Sequence, residues 1–168
     1  MKLLAFDTSN QALSLAILED EHLLAQTTLN IKKNHSITLM PAIDFLMNSL
    51  DMKPTDLDRI VAAQGPGSYT GLRIAVATAK TLAHTLKIEL VGVSSLLALV
   101  PEQVEGLVIP VMDARRNNVY AGFYQSGQAV RSEAHLPLAE VLEIAGAADQ
   151  PVTFVGETAA FAEQIEAT

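Results

Sequence analysis

The segment from Ile60 to Ala83, IVAAQGPGSYTGLRIAVATAKTLA, constrains the fold more than any other part of the chain. An apolar run stops at Gly65-Pro66-Gly67, and a long stretch rich in small residues begins near Ser68. This order predicts a buried strand, a glycine turn and a helix. The glycines allow close backbone approach, and the helix start offers unpaired N–H groups. The group they approach is either a phosphate or another part of the protein.

The segments around this unit predict a mixed sheet with flanking helices. Three short apolar runs joined by tight turns predict an antiparallel meander, at residues 3–6, 12–18 and 23–29. A helix is expected from Ser36 to Leu50. The run Glu89–Val93 predicts a strand parallel to the Ile60 strand, because a crossover helix separates the two. A second meander, helix and strand follow residue 106, so the chain predicts an α/β fold of two similar lobes.

A break in composition at residues 101–106 predicts the boundary between the lobes. The first lobe is then expected at residues 1–102 and the second at residues 103–168. The second half holds fewer predicted elements, and its last helix has no capping sequence. We therefore expect the sequence to lack the end of its second lobe.

Composition excludes several classes of function. The formal charge of −8 argues against nucleic-acid binding by this chain alone, since the only basic doublets are Lys32-Lys33 and Arg115-Arg116. The absence of Cys excludes disulfides, thiolate metal sites and a Cys nucleophile, and it suits a reducing cytoplasm. The apolar run at the N-terminus is too short for a signal peptide or a membrane span. A cytoplasmic protein with no membrane association is expected.

Five motifs in one order resemble a known family. They are FDTS at 6–9, HSITLMPAIDFL at 35–46, GPGSYTGLRIAVATAKTLA at 65–83, GVSSLLAL at 92–99 and DARRNNVYAGFY at 113–124. Together they are similar to the bacterial TsaB (YeaZ) proteins, long labelled glycoprotease-like. The resemblance covers essentially the whole chain, and the GPGSYTGLRIA string is its most specific part.

The resemblance implies an actin-like ATPase (ribonuclease H-like) fold of two lobes. It also implies a role as the non-catalytic partner of TsaD, which makes N6-threonylcarbamoyladenosine beside the tRNA anticodon. A TsaE-type ATPase is implied as a further partner, a homodimer is possible, and tRNA is contacted only through the complex. The alternatives are a nucleotide-binding ATPase or phosphotransferase of the same fold, or a glycoprotease-like peptidase.

No catalytic residue, metal or cofactor is expected in this chain. TsaD holds its metal with two histidines four residues apart, in a stretch that resembles GVSSLLAL at residues 92–99. Ser95 and Leu99 stand at those two positions, and Leu99 cannot ligate a metal. A serine hydrolase is disfavoured because no G-x-S-x-G elbow surrounds Ser68, and Ser68 is better placed to cap its helix.

Asp7, Thr8 and Ser9 are the candidate nucleotide-binding residues. They lie in a turn where actin-like ATPases hold phosphates, and Asp7 could orient Mg²⁺ while the hydroxyls donate to phosphate. This turn lacks the glycine that such ATPases usually have there. The alternative is that Asp7, Ser9 and Asn10 satisfy the turn by side-chain hydrogen bonds. For the GPGSYTG loop the alternatives are an anion site and close backbone packing.

Two helices have a second face that fits a protein partner. On the helix at 36–50, an apolar stripe that includes Met40 is expected to face the sheet, while Ile37 and Phe45 project to the other side. On the helix at 70–86, the outer arc is uncharged and consists of Ile74, Ala77, Thr78, Thr81 and Thr85. Such a face allows helices to pack closely, although the second lobe or a loop could also cover it.

The resemblance implies docking to TsaD through helices of the first lobe, with self-pairing through the same surface. The predicted interface is therefore Ile37, Phe45, Ile74, Ala77, Thr78 and Thr81. In the second half, Arg115 and Arg116 form either a polar hairpin or an inter-lobe or partner contact with a carboxylate.

Overall fold

The structure is a computed structural model that describes residues 1–30 and 34–168. The basic doublet Lys32-Lys33 lies outside these residues. The chain forms two compact units, Met1–Ser95 and Leu96–Thr168, and the composition break at 101–106 falls within the second. Among the described helices, none has the length and apolar content needed to span a membrane.

The first unit is a five-stranded mixed sheet with two long helices. Its strands and helices are β1 (Lys2–Asp7), β2 (Leu13–Glu19), β3 (His22–Leu29), α1 (His35–Ser49), β4 (Arg59–Ala63), α2 (Tyr69–Leu86) and β5 (Glu89–Val93). The strand order is β3-β2-β1-β4-β5. The first three strands pair antiparallel, whereas β4 pairs parallel with both β1 and β5. The predicted meander and the predicted parallel crossover are both confirmed.

Both helices pack on one face of this sheet. Alternate residues of the central strands point to that face, including Leu4, Phe6 and Ile60, which are buried. The helix α2 meets them through Ala75, Ala79 and Ala83, which recur every four residues. Because alanine is small, the axis of α2 lies close to the sheet, and the larger Ile74, Leu82 and Leu86 pack against the edges of the same core.

The second unit repeats this plan in a shorter form. It contains β6 (Leu107–Asp113), β7 (Asn118–Gln125), β8 (Gln128–Pro137), α3 (Leu138–Gly146), β9 (Val152–Gly156) and α4 (Ala162–Glu166). The strand order is β8-β7-β6-β9, with β9 parallel to β6 and the other pairs antiparallel. Its core forms around Ile109, Val119 and Phe123 of the sheet and Val141 of α3.

The first strand of each unit ends in the same kind of turn. Asp7 Oδ1 accepts a hydrogen bond from Ser9 N at 2.6 Å, and Asp113 Oδ1 accepts one from Arg115 N at 2.7 Å. Each aspartate thus bonds to the backbone two residues later, which fixes a turn without glycine. The matched turns support the structural duplication that the order of elements predicts.

Candidate functional site

The glycine turn joins β4 to α2. Ser68 caps the helix, as predicted, because its Oγ accepts a hydrogen bond from Gly71 N at 3.4 Å. The backbone of the turn bends through positive φ at Gly65 and Gly67, of 117° and 151°. L-residues with a Cβ rarely adopt these angles, so glycine is required at both positions.

The start of α2 lies directly against the turn between β1 and β2. A Cβ on Gly67 would be 2.4 Å from the Ser9 carbonyl oxygen, and a Cβ on Gly71 would be 1.9 Å from the Thr8 carbonyl oxygen. Two hydrogen bonds join the segments: Ser68 N donates to Ser9 O at 2.6 Å, and Thr8 Oγ1 donates to Gly71 O at 2.7 Å. The backbone that these two glycines approach is therefore another part of the protein.

Asp7, Thr8 and Ser9 are brought to the start of α2 by these contacts. Thr8 and Ser9 are buried, and the Thr8 hydroxyl is already bonded to the helix backbone. Asn10 Oδ1 accepts from Ala12 N at 2.8 Å and so supports the same turn. Ser9 Oγ is the one buried side-chain polar atom without a hydrogen-bond partner among the described residues. Phosphate binding by these residues stays a prediction.

Ser95 supports the glycine turn from the other side. It is fully buried, its N donates to Gly65 O at 2.8 Å, and its Oγ accepts from Gly65 N at 3.2 Å. Ser95 stands at a position where the resemblance places a metal-binding histidine in TsaD. Its side chain holds the backbone of the turn instead. Within residues 1–30 and 34–168, no cluster of three His, Asp or Glu could hold a metal ion.

The outer face of α1 carries three large apolar side chains. Ile37 and Phe45 are 67% and 68% exposed, as the helical pattern predicts. The prediction that Met40 faces the sheet is wrong, because Met40 is 47% exposed. The helix turns Ala42 toward the core instead, so that Leu39, Ala42, Ile43, Leu46 and Met47 form the buried stripe. Met40 therefore adds to the apolar surface that Ile37 and Phe45 begin.

The residues predicted for the outer face of α2 differ in exposure. Ala77 and Thr81 are exposed, but Ile74 and Thr78 are only half-exposed, and Ile74 also packs against the core of the first unit. Thr81 Oγ1 donates to Ala77 O at 2.9 Å, so the hydroxyl is satisfied within its own helix.

The prediction of an uncharged outer face on α2 is wrong. Arg73, Lys80 and His84 are exposed beside Ala77, because the buried alanines turn the cations and the small residues to the same side. Tyr69, in the first turn of α2, is 75% exposed. A helical wheel centred on Ala77 would have found the cations. The apolar periodicity does not indicate that Tyr69 is exposed, because Tyr69 directly follows the cap residue Ser68 at the very start of the helix.

A shallow surface cavity of about 400 Å³ lies along α2. It is lined by Tyr69, Leu72, Arg73, Val76, Ala77 and Lys80. The Arg73 guanidinium lies 5.5 Å from the centre of the Tyr69 ring, a cation–π contact that orients both side chains. The cavity thus has an apolar floor and a basic edge, which suits an apolar side chain with a carboxylate near it.

Arg115 and Arg116 lie in the turn between β6 and β7. Together with Asn117 they form three consecutive non-glycine residues with left-handed φ, of 68°, 54° and 58°. The backbone is held by Asn118, whose Nδ2 donates to Arg116 O at 3.1 Å. Both arginines are exposed, and among the described residues no carboxylate lies within 4.0 Å of either guanidinium.

Comparison with known proteins identifies close relatives. A family profile described as "TsaD: tRNA N6-adenosine threonylcarbamoyltransferase" matches residues 22–167. The "tRNA threonylcarbamoyladenosine biosynthesis protein TsaB" of Bacillus subtilis is 44% identical over 171 residues, covering 98% of this chain and 75% of that protein. "YeaZ from Pseudomonas aeruginosa" is 35% identical with a TM-score of 0.73, covering 81% of this chain and 66% of that one.

A more distant structure shares the fold alone. The "Activator of the 2-Hydroxyisocaproyl-CoA Dehydratase from Clostridium difficile with bound ADPNP" is 14% identical with a TM-score of 0.52, covering 86% of this chain and 50% of that one. These likenesses confirm the predicted actin-like ATPase fold. Given the identity to the Bacillus protein across nearly the whole sequence, this chain belongs to the TsaB (YeaZ) family.

Proposed function

We propose that this chain acts in the cytoplasm in the biosynthesis of threonylcarbamoyladenosine in tRNA, as a non-catalytic partner of a TsaD-type transferase. In this proposal the outer faces of α1 and α2 dock onto the catalytic subunit and hold it in its active state. A TsaE-type ATPase joins the complex, and tRNA is contacted only through it. The names of the relatives and the match to the TsaD profile support the pathway.

The observation that carries the proposal is the apolar surface on α1. Ile37 and Phe45 each leave about two thirds of the side chain in water, on a helix whose other face is fully packed. Burying one such side chain contributes roughly 1.5–3 kcal/mol. Docking through this face would bury both, together with Met40 and the small residues of α2. Large buried apolar anchors beside small residues are typical of tight interfaces.

The contacts around the glycine turn support the absence of catalysis. The hydroxyls of Thr8 and Ser95 are both bonded to the backbone of the turn or of α2. The space beside Gly67 and Gly71 that a phosphate would need is occupied by the backbone of residues 8 and 9. These side chains stabilise the fold, and the chemistry is assigned to the partner.

The test introduces a charge at the centre of the α2 face. A77R is compared with A139R, which places the same side chain on an exposed position of α3. We expect A77R to weaken binding to the TsaD-type subunit at least thirtyfold, about 2 kcal/mol, because a long side chain at this cavity-lining position holds the two surfaces apart. Binding is measured by calorimetry, and adenosine modification of tRNA is assayed in the reconstituted mixture.

A139R should bind and support modification like the wild type. Circular dichroism of both variants should match the wild-type spectrum. If A77R binds as tightly as A139R, the interface lies elsewhere. If the wild type neither binds the transferase nor stimulates modification, the proposed function is wrong.

A further inference from the structure

The outer face of α2 carries a row of basic side chains in an acidic protein. Arg73 and Lys80 of α2 and Lys87, the residue that caps the C-terminus of α2, are spaced by seven residues, and His84 lies between the last two. These four residues are called the basic ridge. All four are exposed. The whole chain has 19 acidic and 11 basic residues, whereas Tyr69–Leu86 contains no Asp or Glu. The ridge is therefore a basic surface on a chain that is acidic as a whole.

The cations of the ridge are not neutralised within the described structure. No carboxylate oxygen lies within 4.0 Å of Arg73, Lys80 or Lys87 in residues 1–30 and 34–168. By contrast, Arg59 is paired with Glu89 at 2.5 Å. Unpaired cations in a row produce a local positive field that attracts an acidic surface.

The geometry of the ridge fits a helix. Seven residues of α-helix rise about 10.5 Å, so Arg73 and Lys80 are separated by two helical turns. A partner helix with carboxylates one heptad apart matches that spacing, and one of its apolar side chains can enter the cavity between them. A phosphate backbone is the poorer partner, because the chain as a whole has a formal charge of −8 that repels it. An acidic helix is the better fit.

A second copy of the chain fits the ridge poorly. In a two-fold pairing of α2 with itself, each contact residue meets a residue of the same helix. Since α2 has no carboxylate, an antiparallel pairing centred on Lys80 sets Arg73 against Lys87 and Lys80 against its own copy. The exposed face of α1 contributes one carboxylate, Asp44. Like charges across an interface oppose association.

We propose that the basic ridge determines partner choice, by binding a helix that carries acidic residues beside an apolar anchor and by opposing self-pairing. This inference rests on the proposed function, because it specifies the chemistry of the partner at the same surface. It goes further in assigning Arg73 and Lys80 the role of selecting between the transferase and a second copy.

The test reverses two charges on the ridge and two elsewhere. R73E/K80E is compared with K53E/R131E, which changes the net charge equally at exposed positions outside the two helices. We expect R73E/K80E to weaken binding of the TsaD-type subunit about hundredfold, and K53E/R131E to weaken it less than threefold. Raising the salt concentration should weaken wild-type binding and should not weaken that of R73E/K80E, because salt screens an attraction in the wild type and a repulsion in the variant.

A second measurement uses only this chain. Sedimentation of a one-to-one mixture of wild type and R73E/K80E should show mixed dimers about tenfold tighter than wild-type dimers, because the two ridges are then complementary. A mixture of wild type with K53E/R131E should not show this gain. This sedimentation experiment tests the inference even if the transferase does not bind. Failure of the transferase to bind would refute only the proposed function.

The inference is overturned if the two double variants behave alike in both measurements. It is also overturned if unmodified tRNA binds the isolated wild-type chain and R73E/K80E abolishes that binding, since the ridge would then serve nucleic acid. Circular dichroism and thermal unfolding of both variants verify that each is folded.

Discussion

At the residue scale, the position of α2 depends on the single hydrogen atom that forms the side chain of Gly71. The site of its missing Cβ would be 1.9 Å from the Thr8 carbonyl oxygen, which belongs to rigid backbone. Thr8 Oγ1 reaches the Gly71 carbonyl from the same turn. The first turn of the helix and the turn after β1 are thus joined by contacts that leave no room for a methyl group.

Gly71→Ala tests this packing at the residue scale. Alanine favours a helix by up to about 1 kcal/mol over glycine, so an unconstrained site would gain stability. Here we expect a loss of about 1–3 kcal/mol in the free energy of unfolding, because the methyl group must push two backbone segments apart. Urea denaturation of the full chain measures it.

Gly146→Ala is the matched control for that substitution. Gly146 is also helical, and a Cβ there would have its nearest contact at 3.6 Å, an ordinary van der Waals distance. The control should leave stability unchanged or raise it slightly. If the two substitutions changed the free energy of unfolding equally, the backbone contact at Gly71 would not exclude a methyl group there.

At the element scale, adjacent residues of α1 have opposite environments. Phe45 is 68% exposed, whereas Leu46 is 4% exposed and belongs to the core of the first unit. The helix thus separates a packing face from an apolar face that has no covering contact in its own unit. A large aromatic side chain left in water contributes little to folding, and exposed apolar side chains of this size are typical of binding surfaces.

The pair Phe45→Ala and Leu46→Ala tests this division of roles. Leu46→Ala should lower the free energy of unfolding by about 2–5 kcal/mol, because it leaves a cavity in the core. Phe45→Ala should change it by less than about 0.5 kcal/mol. Chemical denaturation gives both values.

Binding to the transferase should show the reverse order. Phe45→Ala is expected to weaken docking by about 2 kcal/mol as an interface anchor. If Phe45→Ala strongly lowered the free energy of unfolding and left docking unchanged, Phe45 would stabilise the fold and would not be part of the interface.

The elements show what the sequence could and could not predict. Strand, turn and helix between Ile60 and Ala83 follow from glycine chemistry and apolar periodicity, which are local. The exposure of Phe45 follows from the same periodicity. Met40 could not be placed correctly, because the rotation of α1 is set by how Ala42 packs on the sheet. The contact of Gly71 with Thr8 joins residues 63 positions apart, and no local pattern could choose it over a phosphate.

At the scale of the whole molecule, nearly all of the net negative charge belongs to the second unit. The first unit has 8 basic and 9 acidic residues, and the second has 3 basic and 10 acidic. The first unit is thus nearly neutral and carries the basic ridge, whereas the second has a formal charge of −7. A surface of that sign repels a phosphate backbone, which favours an indirect role toward tRNA.

The last prediction concerns nucleotide binding by the whole chain. Each unit ends its first strand in an aspartate turn, at Asp7 and Asp113, yet the carboxylates are used to hold the backbone of those turns. We therefore expect calorimetry of the isolated full chain with Mg²⁺ and ATP to show no binding up to about 1 mM, weaker than about −4 kcal/mol. Micromolar, Mg²⁺-dependent binding that Asp7→Asn abolishes would instead assign the nucleotide to this chain, and the burial of Thr8 and Ser9 would then have to be relieved when ATP binds.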